Sequence, residues 1–322
     1  MSVTDFRVKM NQSYEFKVAY AETRIHEFIK TCGKDTFVSV GGLDSITLLC
    51  FIRSLGYDIP AVSVQAIECK GVRAVQRSLG VIDVKPLKSK YRILHDIGYP
   101  VISKEMAHKI ETLQHPSEKN AAYRHAILTG ETTSRASQPF STVTKMPDKY
   151  LKMSFEACPV MVSDKCCLYM KEKPVQKWAK DNDCFPFLGL HADESRRRLL
   201  SLAKNGCNMY GNKARSCPFA IFSKSDILHL SVDLNVPVPA EYGEIVCNDD
   251  IYTTTKEART GCDICGFGIQ FEKYRPHRFD RLFIEDRKKW EFYINTMQYG
   301  ELFDYIGFEY RQPFIEGAAA WR

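Results

Sequence analysis

Two cysteine doublets, Cys166-Cys167 and Cys262-Asp263-Ile264-Cys265, lie far apart in the chain, so only a folded core can bring them to one point. Four soft thiolates meeting there suit an iron–sulfur cluster or a structural zinc. Adjacent cysteines fit the spaced ligand pairs of structural zinc poorly, which favours iron and sulfide. The alternative to both is a set of buried thiols, since cysteine is a common core residue. Twelve cysteines in all, behind a start (Met1-Ser2-Val3-Thr4-Asp5) without the basic-then-apolar order of a secretory signal, point to metal or redox use in a reducing cytoplasm. No run approaches the roughly 18 apolar residues of a membrane span, so no membrane partner is expected. The net charge of +6 permits an anionic nucleotide or nucleic acid as partner without requiring one.

Periodicity sets the architecture. Val18, Ala21, Ile25, Phe28 and Ile29 predict an amphipathic helix over about 14–31, so residues 1–30 read as an N-terminal helical segment. Thr36-Phe37-Val38-Ser39-Val40 reads as a buried strand entering a Gly41-Gly42 turn, and Leu48, Leu49, Ile52 and Leu55 as the next helix. A strand over Ala61–Ala66, a helix carrying Val72, Val75 and Leu79, and a strand over Val81–Val84 continue the alternation. Strand alternating with helix predicts an α/β, doubly wound, mainly parallel sheet occupying residues 31–250. Within it, about 104–150 reads as an irregular insert with one short helix near 121–128. A helix over about 165–180 and a strand over Phe185–Gly189 follow. Residues 251–322, rich in aromatics and arginine and weakly periodic, are expected to form an irregular segment covering the cysteine site.

The turn Val40-Gly41-Gly42-Leu43-Asp44-Ser45 falls at the carboxyl end of a strand and the start of a helix, where open parallel sheets bind ligands. Glycines let the backbone approach a phosphate and aim N–H groups at it, aided by the helix N-terminus. Asp44 suits Mg²⁺ or a helix cap, and Ser45 suits a phosphate oxygen. The competing reading is an ordinary strand-to-helix turn. No Gly-Lys-Ser/Thr follows, so this is not a Walker A loop.

Four segments in order resemble the phosphoadenosine phosphosulfate (PAPS) reductase family, within the PP-loop or N-type ATP pyrophosphatases. The glycine turn is similar to that group's Ser-Gly-Gly-x-Asp-Ser loop. Cys166-Cys167-Leu168-Tyr169-Met170-Lys171-Glu172-Lys173-Pro174 resembles the Cys-Cys segment of its iron–sulfur branch. Gly189-Leu190-His191-Ala192-Asp193-Glu194-Ser195-Arg196-Arg197-Arg198 resembles its Gly-x-Arg-x-x-Glu/Gln-Ser-x-x-Arg segment, and Arg259 to Gly268 its second cysteine segment.

The resemblance implies an adenine nucleotide alpha-hydrolase-like fold. It also implies a nucleotide held by Ser39, Gly41, Gly42, Leu43, Asp44, Ser45, Glu194, Ser195 and Arg198, with Asp44 and Ser45 catalytic. A [4Fe–4S] cluster on Cys166, Cys167, Cys262 and Cys265 and Mg²⁺ with ATP complete the implied set. Three departures stand out: Val40 replaces the loop's first Ser, His191 replaces an Arg, and no cysteine follows Cys265 where the sulfonucleotide reductases carry their catalytic one. The expected activity is therefore ATP pyrophosphatase chemistry, adenylation coupled to sulfur transfer, with a sulfur donor or acceptor protein or a nucleic acid as partner. A reductase working through Cys158, Cys207, Cys217 or Cys247, and a non-catalytic nucleotide- and cluster-binding subunit of a larger assembly, are the alternatives.

Overall fold

In the computed structural model, residues 2–131, 145–154, 158–262, 265–269 and 277–311 are described. The chain divides into two compact units: Met1–Pro86 with Lys171–Cys262, and Leu87–Met170 with Asp263–Arg322. Among the described residues, ten strands run in chain order: β1 Asp35–Ser39, β2 Ala61–Ser63, β3 Ile82–Asp83, β4 Val101–Ile102, β5 Cys184–Leu188, β6 Asn208–Met209, β7 Arg215–Ser216, β8 Ile245–Asn248, β9 Ile251–Thr254 and β10 Gly266–Phe267.

The first unit is α/β. Its six-stranded sheet has the order β3-β2-β1-β5-β7-β6, parallel throughout except for β6 against β7. β1 is the centre, paired along its whole length with β5 from Asp35↔Cys184 to Ser39↔Leu188. Its Thr36, Phe37 and Val38 are all buried, as a strand covered on both faces requires. Helix Leu43–Ser54 leaves β1 and is buried nearly all round, with Leu43, Ile46, Leu48, Leu49 and Ile52 fully enclosed. Each such side chain contributes about 1.5–3 kcal/mol of burial. Its deepest hydroxyl, Thr47, is satisfied by the Leu43 carbonyl at 2.9 Å and by Ser231 Oγ at 2.7 Å.

Helix Tyr14–Thr31 is capped by Ser13 and buries Ala21, Ile25 and Phe28, the stripe expected from the sequence. Lys17 Nζ lies 2.7 Å from Asp226, fixing this helix to helix Lys224–Asp233. Because the sheet order runs outward from β1 in one direction and from β5 in the other, the reversal falls between these two strands. Their carboxyl ends carry Gly41-Gly42 and Gly189-Leu190-His191, so the sheet places both segments at the crevice where such sheets bind ligands.

The second unit is built on the extended segment from Tyr99 to Ile102. Tyr99 forms a parallel bridge with Val162, and β4 pairs in parallel with β10. Helix Lys104–Gln114 packs beside it, capped by Ser103 and burying Ala107 and Ile110. The insert expected over 104–150 is thus helical at Lys104–Gln114 and Ala121–Thr129; residues 132–144 of it lie outside the described residues. Lysines and glutamates between the apolar positions hid the stripe of the first helix.

The C-terminal region differs from expectation in the same way. It forms helices Arg278–Glu285, Arg287–Glu291 and Tyr299–Ile306, the last burying Tyr299, Leu302 and Phe303. The strand expected over Ala61–Ala66 stops at Ser63 and gives way to a 3₁₀ turn, Gln65–Ile67. Among the described residues no helix is long and apolar enough to cross a membrane.

Candidate functional site

In the first unit the glycine turn is gripped from three sides. Ser45 Oγ accepts from the Gly41 N–H at 2.7 Å and donates to the Gly42 carbonyl at 2.8 Å. Gly41's own carbonyl accepts from Gln76 Nε2 at 2.8 Å. The buried Tyr242 hydroxyl accepts from Leu43 N–H at 3.1 Å and Thr260 N–H at 3.3 Å and lies 3.0 Å from Thr260 Oγ1. Burial raises the Tyr242 phenol, so it keeps its proton at neutral pH. A side chain at Gly42 would stand 2.4 Å from that hydroxyl, and one at Gly189 would stand 2.8 Å from Ser45 Cα. Both positions exclude a Cβ because of close approach, not backbone angle. Tyr242→Phe leaves two backbone donors without an acceptor and costs about 1–3 kcal/mol, read as a lower urea midpoint with unchanged slope.

Asp44 lies in the first turn of helix Leu43–Ser54, with one carboxylate oxygen against Lys224 Nζ and the other 3.6 Å from His191 Nε2. Burial pushes its carboxyl up, but the hydrogen bond with His191 and the charge of Lys224 outweigh this and hold it below the usual carboxylate range. His191 is buried, and its Nδ1 has no partner among the described residues; neither does Gln76 Oε1.

The remaining sequence-derived positions join the same ring. Asp193 accepts from the Lys224 backbone N–H at 3.1 Å. Glu194 accepts from Arg259 at 3.0 Å and pairs with Arg198 Nε at 3.3 Å. Ser195 caps helix Arg196–Asn205 through the Arg198 N–H, and half-buried Ser39 closes β1. Ser45, Glu194, Ser195 and Arg198 therefore already have partners within the protein.

The segments flanking both cysteine doublets reach one dipeptide of this unit. Lys171, four residues beyond Cys167, pairs with the buried Glu68 at 2.7 Å. Cys69 donates to the carbonyl of Gly261, the residue before Cys262, at 3.5 Å. Glu68 also borders the turn, 3.9 Å from where a Gly41 side chain would begin. Lys224, Glu68 and Cys69 had no local signature in the sequence, since each acts through a partner far along the chain.

Cys262 closes the first unit; Cys166, Cys167 and Cys265 belong to the second. Cys166 and Cys167 open a helix whose next turn, Leu168–Glu172, is π-helical, a distortion frequent at functional positions. The strand segment around Tyr99 aligns the approach to Cys166 and the exit from Cys265. Tyr99 N–H donates to Met161 at 2.7 Å, Ser163 N–H donates to Tyr99 at 3.1 Å, and Gly266 pairs with Val101.

Fully buried Tyr299 packs edge-on to Tyr99 at 5.2 Å. Burial first, then the Cys166 and Cys265 thiols, push its phenol well above the ordinary range. One phenol thus feels both doublets, and all four cysteines are free of disulfides. No protein-family model, curated protein or solved structure matches the chain.

Proposed function

We propose that the chain is an iron–sulfur PP-loop protein of the PAPS reductase type, with an adenine nucleotide alpha-hydrolase-like fold. It binds ATP at the glycine turn and uses it to adenylate an acceptor for sulfur transfer. The observation that carries this reading is the convergence at Glu68-Cys69: the chain next to each cysteine doublet is fastened to one dipeptide, and that dipeptide borders Gly41.

An acceptor oxygen attacks the α-phosphorus, the bond to the bridging oxygen breaks, and pyrophosphate leaves. In this reading Asp44 would hold Mg²⁺, which would supply positive charge to the departing pyrophosphate, and Lys224, the present partner of Asp44, lies beside it to face the phosphates. The unpartnered His191 Nδ1 and Gln76 Oε1 suit a ligand, because buried polar atoms without partners are costly. Cys166, Cys167, Cys262 and Cys265 would hold a [4Fe–4S] cluster, which would supply an iron site for sulfur. Tyr299, held protonated by burial, lies near enough to Cys166 and Cys265 for their charge to push its phenol up further.

Reduction through Cys158, Cys207 or Cys217 is disfavoured by burial, whereas Cys247, exposed on β8, escapes that effect. Burial raises the Cys158 and Cys207 thiols and pushes Cys217 up to about 12, which leaves little of the thiolate nucleophile. One observation favours the non-catalytic alternative: the Gly41 and Leu43 N–H groups already have acceptors, so an incoming phosphate must displace Ser45 or Tyr242.

Anaerobic purification with iron and sulfide analysis, followed by thermal shifts with ATP, APS and PAPS, tests the reading. Expected are about four irons and four sulfides per chain, a higher Tm with ATP and Mg²⁺, and pyrophosphate release once the right acceptor is present. Iron-free protein or indifference to ATP would overturn it; ATP binding without turnover on any acceptor would leave the non-catalytic alternative.

A further inference from the structure

In the second unit, three side chains that the proposed chemistry does not use turn toward one another. His108 and Glu111 lie three residues apart on helix Lys104–Gln114, hence on one face, and Asp164 comes from the loop before Cys166. Their ligand atoms all lie within 4.8 Å of each other. His108 Nδ1 stands 3.5 Å from Asp164 Oδ1 and pairs with it when protonated, so a metal has to take the place of that proton.

We propose that His108, Glu111 and Asp164 bind a divalent transition cation. One imidazole nitrogen with two carboxylates suits Mn²⁺, Fe²⁺ or Zn²⁺, whereas Ca²⁺ and Mg²⁺ prefer oxygen alone. Metal bonds of about 2.0–2.2 Å place donors roughly 3–4 Å apart, so the triad has to close by about an ångström.

The frame around the triad is set in advance. Gln114 on the same helix accepts from the Val162 N–H at 2.9 Å and donates to the Met153 and Val160 carbonyls at 2.8 and 3.3 Å. Ser163 Oγ donates to Glu111 Oε2 at 2.9 Å, the kind of outer contact that orients a metal-binding carboxylate. The resident cation is Lys165, paired with Glu111 Oε1. Its side chain is 47% exposed while that of Glu111 is 11% exposed, so the ammonium can swing into water and yield its place. A doubly charged ion would take the place of the Lys165 ammonium at Glu111 and of the His108 proton at Asp164. Coordination would tie helix Lys104–Gln114 to the segment that leads into Cys166-Cys167.

Mn²⁺ is the probe, because thiols hold this hard ion poorly. The experiment uses the Asp44→Ala chain, so that the glycine turn cannot contribute a carboxylate, and follows loss of the free-ion electron paramagnetic resonance signal. One saturable equivalent is expected. His108→Ala and Asp164→Asn each weaken it at least ~10-fold, and Ser163→Ala by about 10-fold. Lys165→Met leaves the affinity equal or tighter. Circular dichroism of His108→Ala should match the parent, since His108 is half exposed. No saturable equivalent, undiminished affinity in His108→Ala, or weaker binding in Lys165→Met would overturn the proposal. None of these outcomes depends on iron–sulfur content or on ATP turnover.

Discussion

Replacing Asp44 with alanine lowers pyrophosphate release from ATP at least ~10²-fold, the usual loss when a single group that stabilises transition-state charge is removed. The carboxylate sits between Lys224 and His191 at the first turn of its helix, the place where Mg²⁺ and a triphosphate would meet the sheet. Asp44→Asn keeps the shape and removes the charge, so it separates chemistry from folding. Turnover falls in both variants, while Tm changes far less in Asp44→Asn. Undiminished turnover in either would remove Asp44 from the reaction.

The same pair carries a pH signature. Because the folded-state carboxyl lies below its unfolded value, its stabilising contribution is fully present above about pH 4 and fades as acid protonates it in the native protein. The difference in urea midpoint between the parent and Asp44→Asn should hold steady from pH 7 to about pH 5 and shrink below about pH 4. A gap that instead widened on acidification would mean that Asp44 is not held by its cations.

Local signals made the turn and its neighbours legible. Thr36 to Leu55 combines a β-branched strand, a Gly-Gly break and an apolar helical stripe within twenty residues, and the sheet puts that turn at its centre. Helix Tyr14–Thr31 was equally legible from one apolar face. What local pattern cannot encode is partnership. Ser45 reads as a phosphate ligand from its place after the turn, and Ser195 and Arg198 only through the family resemblance, yet each has a protein partner that no short window reveals. Lys224 escaped notice because its meaning depends on Asp44, and Glu68 because its meaning depends on Lys171. Helix Lys104–Gln114 was missed for a different reason. Met106, Ala107, Ile110 and Leu113 do fall at helical spacing, but this single stripe opens a segment otherwise dominated by polar and charged residues, which masked it.

Gly189→Ala gives the largest structural loss expected anywhere around the turn. The added methyl would lie 2.8 Å from Ser45 Cα, 2.9 Å from Ser45 N and 3.1 Å from the Asp44 carbonyl carbon, all backbone atoms of a fully packed helix start. Nothing there can rotate aside. Relief requires β5 to part from β1 at its carboxyl end or the helix to slide, and overpacking of this kind costs about 1–3 kcal/mol or more. At roughly 2–4 °C per kcal/mol, Tm falls by about 2–12 °C. Gly41→Ala is the matched control, since its methyl would meet nothing nearer than 3.8 Å. That variant should keep the parental Tm within about 0.5 kcal/mol of stability and still lose ATP affinity, because the space it fills is the space a phosphate needs. Destabilisation of Gly189→Ala, with Gly41→Ala stable but blind to ATP, assigns the two glycines different duties, one to backbone packing and the other to the ligand. If Gly41→Ala binds ATP as the parent does, the turn is only a bend between strand and helix, and the nucleotide must be sought elsewhere on the sheet.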